Sequence, residues 1–200
     1  MLAPFCFRCG APAAIDYDYP TESFECSLCR KTPFAFDRAR SLGGYDTVLK
    51  KLIHHFKYRG QTGTLAETEP LIEGYFSELG ESFEGFQVVP VPLHFKKLRE
   101  RGFDQSFLLA KQVAKTLNLP MVTGLLRRSR ETDPQAKKTR GERNKNIIGA
   151  FEVNRPDQAA GKSFLLVDDV FTTGATVNEA AKVLKRARAE RVWVFTLARA

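Results

Sequence analysis

No apolar run in these 200 residues is long enough to cross a bilayer. Met1 to Phe5 opens apolar, but Cys6, Arg8 and Cys9 follow at once and leave no room for the h-region of a signal peptide. The expectation is a cytoplasmic protein with no membrane span. Cysteine is scarce, with four residues, all before Lys31. In a reducing compartment such cysteines are metal ligands or reduced thiols rather than disulfides. There is no internal repeat and no low-complexity tract. Neither a G-x-x-x-x-G-K-[ST] loop nor a G-x-G-x-x-G turn occurs, so nucleoside triphosphate and dinucleotide readings lose support. Acid is the scarcer charge, with 23 Asp and Glu against 31 Lys and Arg and a net charge of +8. That surplus favours anionic partners, phosphate esters or nucleic acid, without choosing between them.

Apolar residues make up 43% of the chain and charged ones 27%, an ordinary globular balance. The length suits one domain and a small appendage. We place the division near Phe36, giving residues 1–36 and 37–200. Cys6-Phe7-Arg8-Cys9 and Cys26-Ser27-Leu28-Cys29 are two C-x-x-C knuckles, each aiming two thiolates at one point. Together Cys6, Cys9, Cys26 and Cys29 supply the four sulfurs of a closed, structural zinc site with no open catalytic position. A redox C-x-x-C would need a βαβ context that is missing here. So short a segment cannot hold a core alone, and metal binding should supply much of its folding energy. Phe5, Phe7, Phe24, Phe34 and Phe36 are its expected core, with base stacking as the second reading.

Beyond Phe36 the patterns lengthen. Val48, Leu49, Leu52, Ile53 and Phe56 have helical spacing across residues 44–56, with Lys50, Lys51, His54 and His55 on the solvated face and Gly60 as C-cap. A weaker helix is expected over 67–79 and a buried strand over 87–91. Phe103, Phe107, Ala110, Ala114 and Leu117 mark another helix face. Strands are expected over 121–126 and 147–153, separated by a charged, mobile loop over 127–145. Ser163 to Val167 is a strand ending in Asp168-Asp169. A helix over 178–189 and a strand over 192–197 complete a βαβ rhythm, which implies a parallel sheet.

Phe164 to Thr176 holds the chemistry. A buried strand runs to two acids, then to the hydroxyl-rich loop Thr172-Thr173-Gly174-Ala175-Thr176, then to a helix whose Thr176 and Glu179 have capping-box spacing. In parallel sheets ligands sit beyond the carboxyl ends of strands, and a helix N-terminus favours an anion. Threonine hydroxyls add donors, and Gly174 lets the main chain approach closely. Carboxylates repel phosphate, so Asp168 and Asp169 should face sugar hydroxyls or Mg²⁺.

Leu166 to Thr176 resembles the signature of type I phosphoribosyltransferases. Nearly the whole chain is similar to one branch, the ComF (ComFC) family of competence-associated proteins. That likeness runs through the paired cysteines, Phe56 to Gly60, Val89 to His94, Arg101 to Ser106, Gln135, Arg143, Asn144, Gly149 to Phe151 and Leu197 to Arg199. The resemblance implies an α/β fold, a type I phosphoribosyltransferase-like parallel sheet flanked by helices, behind a small zinc-ribbon domain with four cysteine ligands. It implies binding of 5-phosphoribosyl 1-pyrophosphate with Mg²⁺, with Asp168 and Asp169 on the ribose hydroxyls. The 5′-phosphate would sit on the loop from Val170 and Phe171 through Thr172, Thr173, Gly174, Ala175 and Thr176. Pyrophosphate would sit near Pro92, Leu93 and His94. Lys137, Lys138, Arg140 or Arg143 would reach it from the mobile loop, with Arg101 and Arg143 as further catalytic candidates and Gln105 as another site candidate from the family pattern.

No segment that would recognise a purine or pyrimidine acceptor is identifiable. Two functions follow. One is a transferase with an unknown acceptor. The other is a DNA-binding module that keeps the site for binding or regulation, in line with the family's link to natural transformation and the handling of single-stranded DNA. Other competence or DNA-processing proteins are expected partners. The basic groups Lys96, Lys97, Arg99 and Arg101, then Arg127, Arg128 and Arg130, then Lys137 to Lys145 serve either function.

Overall fold

The computed structural model describes residues 5–13, 24–58, 67–131 and 147–200. Its elements are α1 (Ser27–Lys31), β1 (Arg38–Gly44), α2 (Thr47–Tyr58), α3 (Glu69–Leu79), β2 (Phe86–Pro90), α4 (Phe95–Arg101), α5 (Gln105–Thr116), β3 (Leu126–Arg128), β4 (Phe151–Val153), α6 (Pro156–Ala159), β5 (Ser163–Phe171), α7 (Ala175–Arg186) and β6 (Arg191–Arg199). Four strands form a parallel sheet in the order β1-β6-β5-β2. β3 and β4 make a separate antiparallel pair. The near-continuous apolar runs of β5 and β6 are those of strands covered on both faces.

Two clusters fill those faces. Leu165, Val167, Phe195 and Leu197 join Ile53, Phe56, Ile72, Phe76, Leu109 and Val113 from α2, α3 and α5. Phe164, Leu166, Val192 and Val194 join Val177, Ala180, Ala181 and Leu184 of α7. Each such Leu or Phe, fully buried, is worth ~1.5–3 kcal/mol relative to exposure.

The second cluster also contains Cys6, Cys9, Cys29, Phe34 and Phe36. Phe34 and Phe36 stack at 4.7 Å and meet Phe171 edge-on at 6.5 and 6.0 Å. They therefore belong to the sheet's core and not to a core inside the cysteine segment. Phe5, Phe7 and Phe24 remain half-buried. The Ala39 amide donates to the Arg8 carbonyl at 2.6 Å, so the first knuckle runs along the outer edge of β1. Gly10 is required there: its φ is +69°, and a Cβ would lie 2.7 Å from the Ala39 carbonyl oxygen. Buried Arg40 donates to the Phe7 carbonyl at 2.9 Å and pairs with Glu81 at 2.6 Å, tying the knuckle to the segment after α3.

Several expected boundaries shift. Val48 is 71% exposed, so the buried face of α2 is Leu49, Ile53 and Phe56. Phe107 is 39% exposed, and α5 instead buries Ser106, Leu109, Ala110, Val113 and Ala114. The chain before it forms α4, which the sequence pattern did not suggest. The strand expected over 121–126 is reduced to one bridge, Met121 to Val88, and to its last residue, Leu126, which opens β3. Ile147 is buried but not in a strand, and β4 begins at Phe151. Arg127 and Arg128, expected to open the charged loop over 127–145, lie instead in β3 paired with β4. Gly60 and the loop's residues 132–145 lie outside the described residues.

Candidate active site at the carboxyl edge

All four parallel strands end at one edge. β2 delivers Val91 to His94 there, β5 delivers Asp168 to Phe171, and β6 delivers Arg199. Asp168 and Asp169 lie inside β5 and not past its end, because the ladder to β6 continues to Phe171 opposite Arg199. Side-chain alternation slips at this point. Val167 packs on the α5 side, and the next residue, Asp168, turns to the same side to meet Ser106. The Ser106 hydroxyl donates to Asp168 Oδ1 at 2.9 Å, and the Asp169 amide donates to the same oxygen at 2.9 Å. Asp169 is buried.

α7 starts earlier than its periodicity suggests. Its N-cap is Gly174, with φ +77°, and the first helical residue is Ala175. The capping box expected from Thr176 and Glu179 does not form. Thr173 Oγ1 instead accepts from the Ala175 amide at 3.3 Å, and buried Glu179 accepts from the Gly149 amide at 2.9 Å. Thr172, Thr173 and Thr176 are half-buried around this N-terminus. A 12-residue helix thus opens on a loop of hydroxyls two residues after the acid pair, an arrangement that can take an anion at its amides and hydroxyls at its carboxylates.

The neighbouring loop comes from β2. His94 is 4% exposed, and no described atom accepts from or donates to its Nδ1. Gln105, at the start of α5, is 1% exposed with its Oε1 likewise unmatched among the described residues. Both are buried polar atoms left without a partner among the described residues. Asp104 caps α5 by accepting from the Phe107 amide at 3.1 Å, and its other oxygen accepts from the Leu93 amide at 3.2 Å. Burial raises its pKa above the ordinary aspartate value. The Leu93 and Phe107 amides oppose the rise, and the neighbouring charge of Asp169 adds to it. Arg101 is half-buried in the last turn of α4. Arg128, on β3, is held below its usual pKa by burial, against the pull of the Asp168 carboxylate. Arg143 lies outside the described residues.

Sequence reasoning singled out neither Asp104 nor Ser106 for a role. The signal for Asp104 was present, an Asp directly before an apolar-periodic helix. Arg128, by contrast, gave none beyond its charge.

The four cysteines are brought together, with every sulfur within 4.8 Å of the others. Cys9 and Cys26 sulfurs are 3.6 Å apart. A tetrahedron with Zn–S of ~2.3 Å requires S···S of about 3.8 Å, so the set can hold a metal such as zinc. The Cys26 amide donates to Cys6 Sγ at 3.3 Å, the kind of contact that supports a thiolate ligand. Burial pushes the metal-free Cys9 thiol up to about 11 and raises Cys29 as well.

A shallow hollow at the opposite, amino edge of β2 is lined by Glu81 and Glu84 and by no basic residue, so it is unsuited to an anion. No described helix is long and apolar enough to cross a membrane.

A parallel sheet carrying an acid pair, a hydroxyl loop and a helix N-terminus at its carboxyl edge defines a phosphoribosyltransferase-type α/β domain, and the phosphoribosyl transferase domain family model matches residues 104–200. Whole-chain relatives narrow this further. The chain is 31% identical to competence protein F of Haemophilus influenzae, across 98% of this chain and 85% of that protein. It is 33% identical to the DNA utilization protein YhgH of Salmonella typhimurium, across 97% and 83%. It is 29% identical to competence protein ComFC of Bacillus subtilis, across 97% and 77%. The chain belongs to the ComF family.

Proposed function

We propose that this protein binds 5-phosphoribosyl 1-pyrophosphate with Mg²⁺ at the carboxyl edge and acts in natural transformation, handling incoming single-stranded DNA in the cytoplasm. One observation carries the ligand assignment: the acid pair in the last residues of β5, the hydroxyl loop two residues further on and the N-terminus of α7 follow in succession at the carboxyl edge. In this reading Asp168 and Asp169 hold the ribose hydroxyls. Val170 to Thr176 cradle the 5′-phosphate, with the loop amides and the Thr172, Thr173 and Thr176 hydroxyls as donors. In the same reading Pro92, Leu93 and His94 face the pyrophosphate, and Arg101 and Arg143 would offset its charge. Mg²⁺, when bound, would neutralise charge on the leaving group. In a transfer, an acceptor attacks the anomeric carbon, the bond from that carbon to the pyrophosphate oxygen breaks, and pyrophosphate leaves with the electron pair. No side chain need act as nucleophile. In this reading the metal-binding unit is residues 1–36, with Phe34 and Phe36 lending their rings to the sheet's core. Four sulfurs around zinc would leave no open position, so that ion would be structural.

A second reading, a nucleic-acid-binding module that uses the phosphoribosyl site only for regulation, is favoured by α4. This helix has no buried residue. It carries Lys96, Lys97, Arg99 and Arg101, and its Phe95 and Leu98 are 57% and 42% exposed. Exposed aromatic and basic side chains side by side suit a single strand.

Calorimetric titration with 5-phosphoribosyl 1-pyrophosphate and Mg²⁺ tests the ligand. Saturable one-site heat, lost in Asp168→Asn/Asp169→Asn, is expected, and no heat from the folded native chain would remove the assignment. Release of pyrophosphate in the presence of single-stranded DNA or a screened acceptor then separates transferase from binding module.

A further inference from the structure

The phosphate loop stands on the cysteine knuckle, and two side chains make the connection. Arg199, at the end of β6, donates through Nη1 to the Cys9 carbonyl at 2.7 Å and through Nη2 to Cys9 Sγ at 3.4 Å. The same guanidinium lies over the Phe171 ring, 4.5 Å from its centroid. Phe171 is the residue from which the loop departs. Gly174 rests so closely on this floor that a Cβ there would sit 2.6 Å from Phe171 Cζ and 3.2 Å from Phe34 Cε1. Phe34 follows the second knuckle by five residues. Its neighbour Ala35 donates its amide to Asn178 Oδ1 at 2.7 Å, in the first turn of α7. The Asn178 amide in turn donates to the Gly174 carbonyl at 2.9 Å. The knuckle therefore touches both ends of the loop, through Arg199 and Phe171 before it and through Ala35 and Asn178 after it.

Packed rings and a planar fork transmit displacements instead of absorbing them. Arg199 suits the junction in three ways that a lysine does not: its fork reaches the carbonyl and the sulfur together, its plane lies on the ring, and its charge offsets the excess negative charge of four thiolates around a divalent ion.

We propose that Arg199 is a positioning residue that couples the metal-bound knuckle to the phosphate loop, so that the state of the cysteine cluster sets the loop's affinity for phosphate esters. The proposal rests on the reading of Thr172 to Thr176 as that loop.

The test uses the full chain loaded with zinc, as wild type, Arg199→Lys and Phe34→Leu. Three quantities are measured: bound metal, the global unfolding midpoint, and affinity for 5-phosphoribosyl 1-pyrophosphate. Amide exchange over residues 171–178 is followed in the same samples without ligand. For Arg199→Lys the expected result is metal content and midpoint close to native, affinity lower by about tenfold, the size of an outer-shell effect, and faster exchange confined to the loop. Phe34→Leu, which shortens a core ring, also lowers the midpoint but shows the same loss of affinity and the same faster loop exchange. A side chain that merely fills the core would shift the midpoint and leave loop exchange and affinity alone, and that result overturns the proposal. If Arg199→Lys fails to fold, Phe34→Leu decides by affinity and loop exchange alone, since its midpoint falls with the lost core ring in any case. Absence of binding by the wild type would defeat the ligand assignment instead, and exchange over the loop would still decide the coupling.

Discussion

The Ser106 hydroxyl donates to Asp168 Oδ1 at 2.9 Å across the junction of α5 and β5. With the Asp169 amide on the same oxygen, the carboxylate has its orientation set before any ligand arrives. Ser106→Ala should therefore weaken 5-phosphoribosyl 1-pyrophosphate binding by about tenfold or more, a hydrogen bond to a charged group being worth roughly 1.5–3 kcal/mol, and should lower the unfolding midpoint as well, since the lost bond is buried. Titration of the variant beside the native chain checks this. Equal affinities would mean that Asp168 is held by other contacts.

Gly174→Ala should be among the most damaging single changes. The backbone is left-handed there, with φ +77°, and the added methyl would meet the Phe171 ring at 2.6 Å. Strain of this kind costs ~1–3 kcal/mol before the clash is counted. A lower urea midpoint together with loss of ligand binding is expected.

Because Cys6, Cys9 and Cys29 lie in the same core as Val194 and Leu184, metal removal should not melt the knuckle alone. Cys29→Ser, or prolonged chelation, is expected to lower the unfolding temperature of the whole chain in one cooperative transition. Calorimetric scanning that resolves two transitions, with the second at the native temperature, would contradict this.

Asp104 gives a pH signature. Its pKa is raised in the folded chain, chiefly by burial, so the native state binds this proton more tightly than the unfolded state. The resulting stability is complete below the ordinary aspartate range and is lost as pH rises through the raised value. Asp104→Asn should flatten that fall, so the stability difference between variant and native moves in the variant's favour as pH climbs through the window. Urea unfolding across the mildly acidic range measures it.

The fold was legible where burial alone decides. Leu165 to Val167 and Val192 to Leu197 are apolar on both faces and can only be inner strands. Paired cysteines and the acid-to-threonine stretch were equally plain, since their spacing is the chemistry. Errors arose where one tertiary contact outweighs a local pattern. Thr176 and Glu179 match a capping box, yet Glu179 is taken by the Gly149 amide, 30 residues away in sequence. Phe107 has the right period for a core face but points outward, because Leu109 and Val113 already fill the space over β5. Phe34 and Phe36 looked like the interior of a small separate unit, and nothing local to them announces that Phe171 completes their stack.

β1 has a sheet partner made very late. Arg38 to Gly44 pairs along its length with the strand Arg191 to Arg199, about 150 residues further along the chain. On the ribosome, the knuckle and β1 would emerge well ahead of β6, and β1 would wait without that partner while the intervening elements are synthesised. A message or protease cut removing the segment from Arg191 onward would leave β5 without one neighbour and β1 without its place in the sheet. Early metal capture by the cysteines would then serve to keep the first stretch of chain compact until its central strand exists.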